Sequence, residues 1–131
     1  MSSRHTVRFT AAPEHIDELG HVNNAVWLQW VQAAATSHWL ADAAPDFVER
    51  YLWVVLRHEI DYRGNVGLGE TVTAETHVPA GPQGARMPRD VVFRDAAGKV
   101  LVEVRSMWAL IDRETMRIAR VPREMVAPFL D

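Results

Sequence analysis

The chain has 131 residues, 48% apolar and 24% charged, with a formal net charge of −3 and no cysteine. That length suits one compact domain with its own core. The charge balance, with no block of like charges and Lys99 as the only lysine, excludes a nucleic-acid-binding stripe, and the lack of cysteine removes disulfides, thiolate nucleophiles and cysteine-held metals while fitting a cytoplasmic protein.

The opening "MSSRHTVRFT" passes from a short polar leader straight into alternation, without the apolar run of a signal peptide. Arg4 to Ala11 alternate, Val7 and Phe9 against Arg8 and Thr10, which predicts a strand that Pro13 ends. "PEHIDELGHV" reads as a loop. "NNAVWLQWVQAAATSHWLADAA" has polar Gln29, Gln32 and Thr36 at helical spacing and apolar residues round most of the circumference. A helix with so narrow a polar stripe is expected to be wrapped by other structure. Asn23 or Asn24 suits its N-cap. Gln29, Gln32, Ser37, His38 and Asp42 break the run well short of the roughly 20 apolar residues of a membrane span.

Pro45 closes the helix, and "PDFVERYL" reads as a further short helical piece. The segments "LWVVLRHEIDYR", "ETVTAETHV", "ARMPRDVVFRD" and "KVLVEVRSMWALIDR" are rich in valine, threonine and aromatics, and turn signals such as Gly64-Asn65 separate them. Short separations favour antiparallel neighbours, so a meander is expected. Pro88 marks the start of its strand as an edge or bulge, and Pro122 suits the first position of a last helix. The fold class expected is α+β: a curved antiparallel β-sheet wrapped around one long central helix, as one domain over residues 1–131.

"DELGHVNN", Asp17 to Asn24, precedes the helix. The first N–H groups of a helix lack intrahelical partners and carry the positive end of its dipole, which suits a developing oxyanion. Asp17 stands a few residues upstream, in a loop that Gly20 can fold back. A carboxylate there can attack a polarised carbonyl or take a proton from an attacking water. The same residues also make a tight turn and a helix cap with no chemistry at all, and local sequence leaves both readings open.

"DELGHVNNAVWLQWVQAA" resembles the signature of the hot-dog fold acyl-CoA thioesterases of the 4-hydroxybenzoyl-CoA thioesterase type. "VVLRHEIDYRGNVGLGE" is similar to the family's second strand and turn, and "ALIDRETMRIARVP" to its last hairpin before a proline. The resemblance implies a hot-dog fold and hydrolysis of an acyl-CoA to a carboxylic acid and coenzyme A. It implies Asp17 as nucleophile or general base, Gly20 and His21 as the loop before the helix, and Asn23 and Asn24 as the helix entry where a backbone N–H polarises the thioester. It also implies at least a homodimer, joined edge to edge with the site between subunits; homotetramers are common among such relatives. Trp27 stands where these relatives usually carry tyrosine, and the turn from Arg63 to Val66 where a proline-containing segment is common. Trp27 and Arg63 are therefore the substrate-binding candidates besides Gly20.

Other constellations are weaker. The six histidines form no i, i+4 pair around a glutamate, so no metal is expected. No cofactor is expected either, coenzyme A being part of the substrate. Arg57, Arg63, Arg86 and Arg89 are candidates for coenzyme A phosphates, with surface solvation the default for each. Ser37 and Ser106 lack the glycines of a nucleophile elbow. Two alternatives stay open: an acyl group carried on acyl carrier protein, and a non-catalytic acyl-CoA-binding module in which Asp17 only ties the loop.

Overall fold

The computed structural model describes residues 3–130; Met1, Ser2 and Asp131, the ends of the expected domain, lie outside them. Strand β1 (His5–Thr10) is followed by a single 3-10 turn (Pro13–His15) and the long helix α1 (Asn24–Asp42). Helix α2 (Pro45–Arg50) leads into β2 (Tyr51–Tyr62), β3 (Thr71–His77), β4 (Arg86–Arg94) and β5 (Val100–Asp112). The short β6 (Arg117–Ile118) and the one-turn helix α3 (Arg123–Val126) complete the order.

The strands form one six-stranded antiparallel sheet in the order β1-β3-β4-β5-β2, with β6 paired to the end of β5. Alternation places Val72, Ala74, Val91, Phe93, Val102 and Val104 on the inner face, fully or almost fully buried. There they meet Val26, Trp27, Trp30, Val31 and Ala34 of α1. A second cluster gathers Trp39, Leu110, Met125 and Phe129 at the far half of the helix. Trp27, at 0% exposure, is one of the large side chains whose burial stabilises such a core by about 1.5–3 kcal/mol each.

The helix, the short piece after it and the four later strands stand where the sequence predicts them. Two expectations need correction. β2 and β3 are not neighbours: loop 63–70 carries the chain from the β2 edge across to β3, at the opposite side of the sheet. It is held on the way by backbone bonds from Arg63 and Gly64 to Leu101 and between Gly69, Glu70 and Ala11. As expected, the sheet curls round α1, on one side of it; Ala25, Ala33, Leu40 and Ala41 are exposed on the other with Gln29, Gln32 and Thr36. Pro122 is the N-cap of α3 rather than its first residue.

Pro88 agrees with its expected setting. β3 stops pairing at His77–Asp90, so at Pro88 the strand β4 has a ladder only on the β5 side, and the missing N–H costs no bond. Among the described residues no helix is long and apolar enough to cross a membrane.

Candidate active site

Ile16 and Val22 face each other as an isolated antiparallel bridge, so residues 17–21 form the tip of a small hairpin. The Asp17 N–H donates to the His21 carbonyl at 2.8 Å, and the Gly20 N–H to the Asp17 carbonyl at 3.1 Å. Gly20 turns the chain with φ +80°, a conformation that glycine adopts without steric cost. One side-chain oxygen of Asp17, Oδ1, accepts the N–H of Leu19 at 2.9 Å and of His21 at 3.1 Å. The other, Oδ2, meets no donor among the described residues, and Asp17 is only half-buried. One oxygen is committed to the loop, and the other is open to chemistry.

The hairpin rests on the crossing loop 63–70. Asn65 acts there as a side-chain strand: its Oδ1 accepts the N–H of Val22 at 3.2 Å and of Val66 at 2.8 Å, and its Nδ2 donates to the Val22 carbonyl at 3.0 Å. The Val22 N–H is also within reach of the Val66 carbonyl, at 3.1 Å. A Cβ on Gly67 would come to 3.3 Å from the Gly20 carbonyl oxygen, so the close approach of the two loops suits glycine. From the other side His15 accepts the Ala12 N–H on Nδ1 at 2.9 Å and the Asn23 N–H on its carbonyl at 2.9 Å. Its ring packs edge-on against Trp30.

At the helix entry the Asn23 side chain accepts the Ala25 N–H at 2.9 Å, an N-cap bond. The Asn23 carbonyl accepts from Val26. The Tyr62 hydroxyl donates to the Asn24 carbonyl at 3.3 Å, and partial burial raises the pKa of that phenol, keeping it a donor. The Asn24 N–H has no acceptor among the described residues. A carboxylate oxygen thus stands in the loop that precedes a backbone donor at the positive end of a 19-residue helix.

Asp17, Gly20, His21, Asn23 and Asn24 are therefore brought together. The His21 backbone closes the hairpin, while its exposed ring makes no hydrogen bond or ring contact among the described residues. Trp27 lies apart from them in the core, edge-on to Trp30 and Phe93. Arg63 begins the crossing loop, but its exposed guanidinium turns away to Glu103, with Nε at 3.0 Å and Nη2 at 2.9 Å. His15, Tyr62 and Asn65 were not singled out by the sequence. The one signal for Asn65 was the Gly64-Asn65 turn pair, which marks a turn but not what its amide holds. Among the described residues no three or more potential metal ligands gather.

A cavity of about 230 Å³ lies elsewhere. It opens along the far half of α1, between Trp39, Tyr51, Trp53, Met87, Arg89 and Trp108, and includes none of the motif residues. Within one chain, pocket and motif are at opposite ends of the helix.

A family model described as the acyl-ACP thioesterase N-terminal domain matches residues 8–129. The chain is 31% identical over 94 residues to the chloroplastic acyl-[acyl-carrier-protein] hydrolase FATB3 of Cuphea viscosissima, a stretch covering 66% of this chain and 22% of that one. It thus spans well under two thirds of that relative's length. In fold it is similar to the Staphylococcus aureus protein SAV2348, solved in complex with CoA, at a TM-score of 0.86 and 15% identity over 98% of this chain and 82% of that chain. It is similar too to the 12:0-ACP thioesterase of Umbellularia californica, at 0.82 and 20% identity over 98% and 51% of the two chains. A 1,4-dihydroxy-2-naphthoyl-CoA thioesterase from Synechocystis matches at 0.80 and 16% identity over 98% and 96%.

Proposed function

The chain belongs to the acyl-ACP thioesterase N-terminal domain family, with the hot-dog fold, and on that premise we propose that it hydrolyses an acyl thioester to a carboxylic acid and a free thiol. The observation that carries this reading is the division of labour in Asp17: Oδ1 holds the loop, while Oδ2 meets no donor among the described residues, in the loop that leads to a helix entry whose Asn24 N–H has no acceptor among them. The thioester carbonyl oxygen docks on that N–H, which stabilises the negative charge it gains. In one route Asp17 takes a proton from water as the water oxygen bonds to the carbonyl carbon, the carbon–sulfur bond breaks, and the leaving thiolate takes up that proton. In the other, the Asp17 carboxylate bonds to the carbonyl carbon, the carbon–sulfur bond breaks to release the thiolate, and water then cleaves the acyl–Asp17 anhydride, giving one proton to the thiolate and restoring the carboxylate. His21, Gly20 and Asn23 shape the loop. No metal or further cofactor takes part.

The carrier is coenzyme A on the motif's reading, and acyl carrier protein on the family's. Assaying one acyl group on both carriers separates the two.

The working unit is a homodimer, or a homotetramer built from such dimers. β2 is an edge strand with Val54 at 38% and Leu56 at 50% exposure, and an uncovered apolar edge calls for pairing. A twofold axis normal to the sheet would continue it antiparallel through β2 and keep both helices on one face. The Tyr62 end of one β2, beside Asn24, then adjoins the Tyr51 end of the other, which lines the cavity. Motif and pocket, far apart in one chain, become neighbours across subunits. The test of the function is thiol release from acyl-CoA and acyl-carrier substrates by wild type and Asp17→Asn. Activity that survives Asp17→Asn would assign Asp17 to the loop alone.

A further inference from the structure

The inward row of β4 reads Met87, Arg89, Val91, Phe93; Arg89 occupies a core slot that its neighbours fill with apolar groups and is 9% exposed. A buried cation is costly unless an opposite charge or full hydrogen bonding compensates it. Among the described residues Arg89 makes no ion pair with a carboxylate. Its Nη1 donates to His38 Nδ1 and to Thr76 Oγ1, each at 2.9 Å. Arginine only donates, so His38 Nδ1 accepts and the imidazole is neutral with its proton on Nε2. Burial and the adjacent guanidinium agree, holding the His38 pKa down at about 4. Asp42 Oδ2 lies 3.2 Å from Nε2; it stands beyond the ring and is not a partner of Arg89 itself.

Nε and Nη2 of Arg89 hold no hydrogen bond among the described residues, and Arg89 lines the cavity. Trp108, Thr36 and Arg113 also line it. The remaining walls include Trp39, Trp53, Met87 and Phe129. A largely apolar cavity with the unmatched edge of a buried guanidinium in its wall lacks an acceptor, and a guanidinium edge fits a carboxylate with two parallel bonds.

We propose that this cavity is a subsite for an apolar chain ending in a carboxylate, with Arg89 as the anion's partner and the aromatic walls covering the chain. The carboxylate has two possible sources: the distal end of an ω-carboxyacyl thioester, or the free acid that hydrolysis releases. Only this choice of source rests on the thioesterase reading; the subsite does not.

The test is a titration of octanoate and of 1-octanol, followed by tryptophan fluorescence, since three tryptophans line the cavity. Octanoate is expected to bind wild type and to weaken about ten- to a hundredfold in Arg89→Met, the loss of a charge-assisted pair, while octanol binding stays unchanged. Thr36→Trp, on the exposed rim, fills the cavity and leaves the Arg89 network in place; it should weaken both probes. Equal binding of octanoate and octanol, octanoate binding unchanged in Arg89→Met, or no response to either probe would overturn the proposal. If Arg89→Met does not fold, Thr36→Trp and the octanoate-to-octanol ratio on wild type decide alone.

Comparing kcat/KM for ω-carboxyoctanoyl and octanoyl thioesters then assigns the source. Preference for the former, lost in Arg89→Met, points to the substrate's distal end; no preference, with octanoate a competitive inhibitor, points to the released acid. Absence of Asp17-dependent thiol release would sink the hydrolase reading while leaving the fluorescence result standing.

Discussion

Asp17 has two duties that substitution can separate. Asparagine keeps an oxygen for the Leu19 and His21 N–H groups and removes the charge; alanine removes both. Asp17→Ala is therefore expected to lose about 1–3 kcal/mol in denaturant unfolding, and Asp17→Asn close to nothing. Asn65 is the second test at this scale. Asn65→Ala strips the one acceptor shared by the Val22 and Val66 N–H groups and the donor to the Val22 carbonyl, and a loss of about 2 kcal/mol or more is expected. It should also lower turnover, because the hairpin bearing Asp17 loses its seat. His38 provides a pH signature. Its folded pKa of about 4 lies below the ordinary imidazole value of 6.5, chiefly through burial and then through Arg89, opposed by Asp42. Above pH 6.5 both folded and unfolded states are neutral there and nothing is lost. As pH falls from 6.5 towards 4 the unfolded chain takes up the proton first, so stability drops, by up to about 3 kcal/mol. His38→Gln should flatten that part of the stability–pH curve; an unchanged slope would mean other groups carry it.

At the scale of elements, α1 depends on its entry. Asn23→Ala removes the cap on Ala25 and is expected to cost about 1 kcal/mol, read as a lower unfolding midpoint. The helix, its asparagine cap and the strands were legible in the chain because each is set by local periodicity and local side chains. The hairpin of the motif was legible through its Asp-x-x-Gly spacing. What lay beyond the sequence was long-range: that loop 63–70 crosses to the other side of the sheet, that Asn65 locks on Val22, and that Tyr62 reaches the Asn24 carbonyl. A Gly-Asn pair signals a turn equally well whether the next strand pairs alongside or crosses over, so the meander was the natural and mistaken expectation. Arg89 shows the same limit. As a letter it belonged with the surface arginines, and only the inward register of β4 places it in the core beside His38.

At the scale of the molecule, the proposed dimer would bring together a motif and a cavity that lie at opposite ends of α1 in one chain. Leu56 lies where the β2–β5 register slips between Val55 and Arg57, and it is half exposed on the free edge. Leu56→Lys should leave the fold intact and shift the chain from dimer to monomer in light scattering, with loss of turnover. A wild-type chain that is monomeric and active would contradict the shared site. The most direct test of the catalytic claim remains thiol release from a panel of acyl-CoA and acyl-carrier thioesters, comparing wild type with Asp17→Asn. The chain has no cysteine to contribute background. Removal of a general base or nucleophile predicts a loss of at least about a hundredfold in kcat at unchanged unfolding midpoint. Equal turnover by the two proteins, or no turnover by a folded, dimeric wild type on any thioester, would contradict hydrolysis by Asp17.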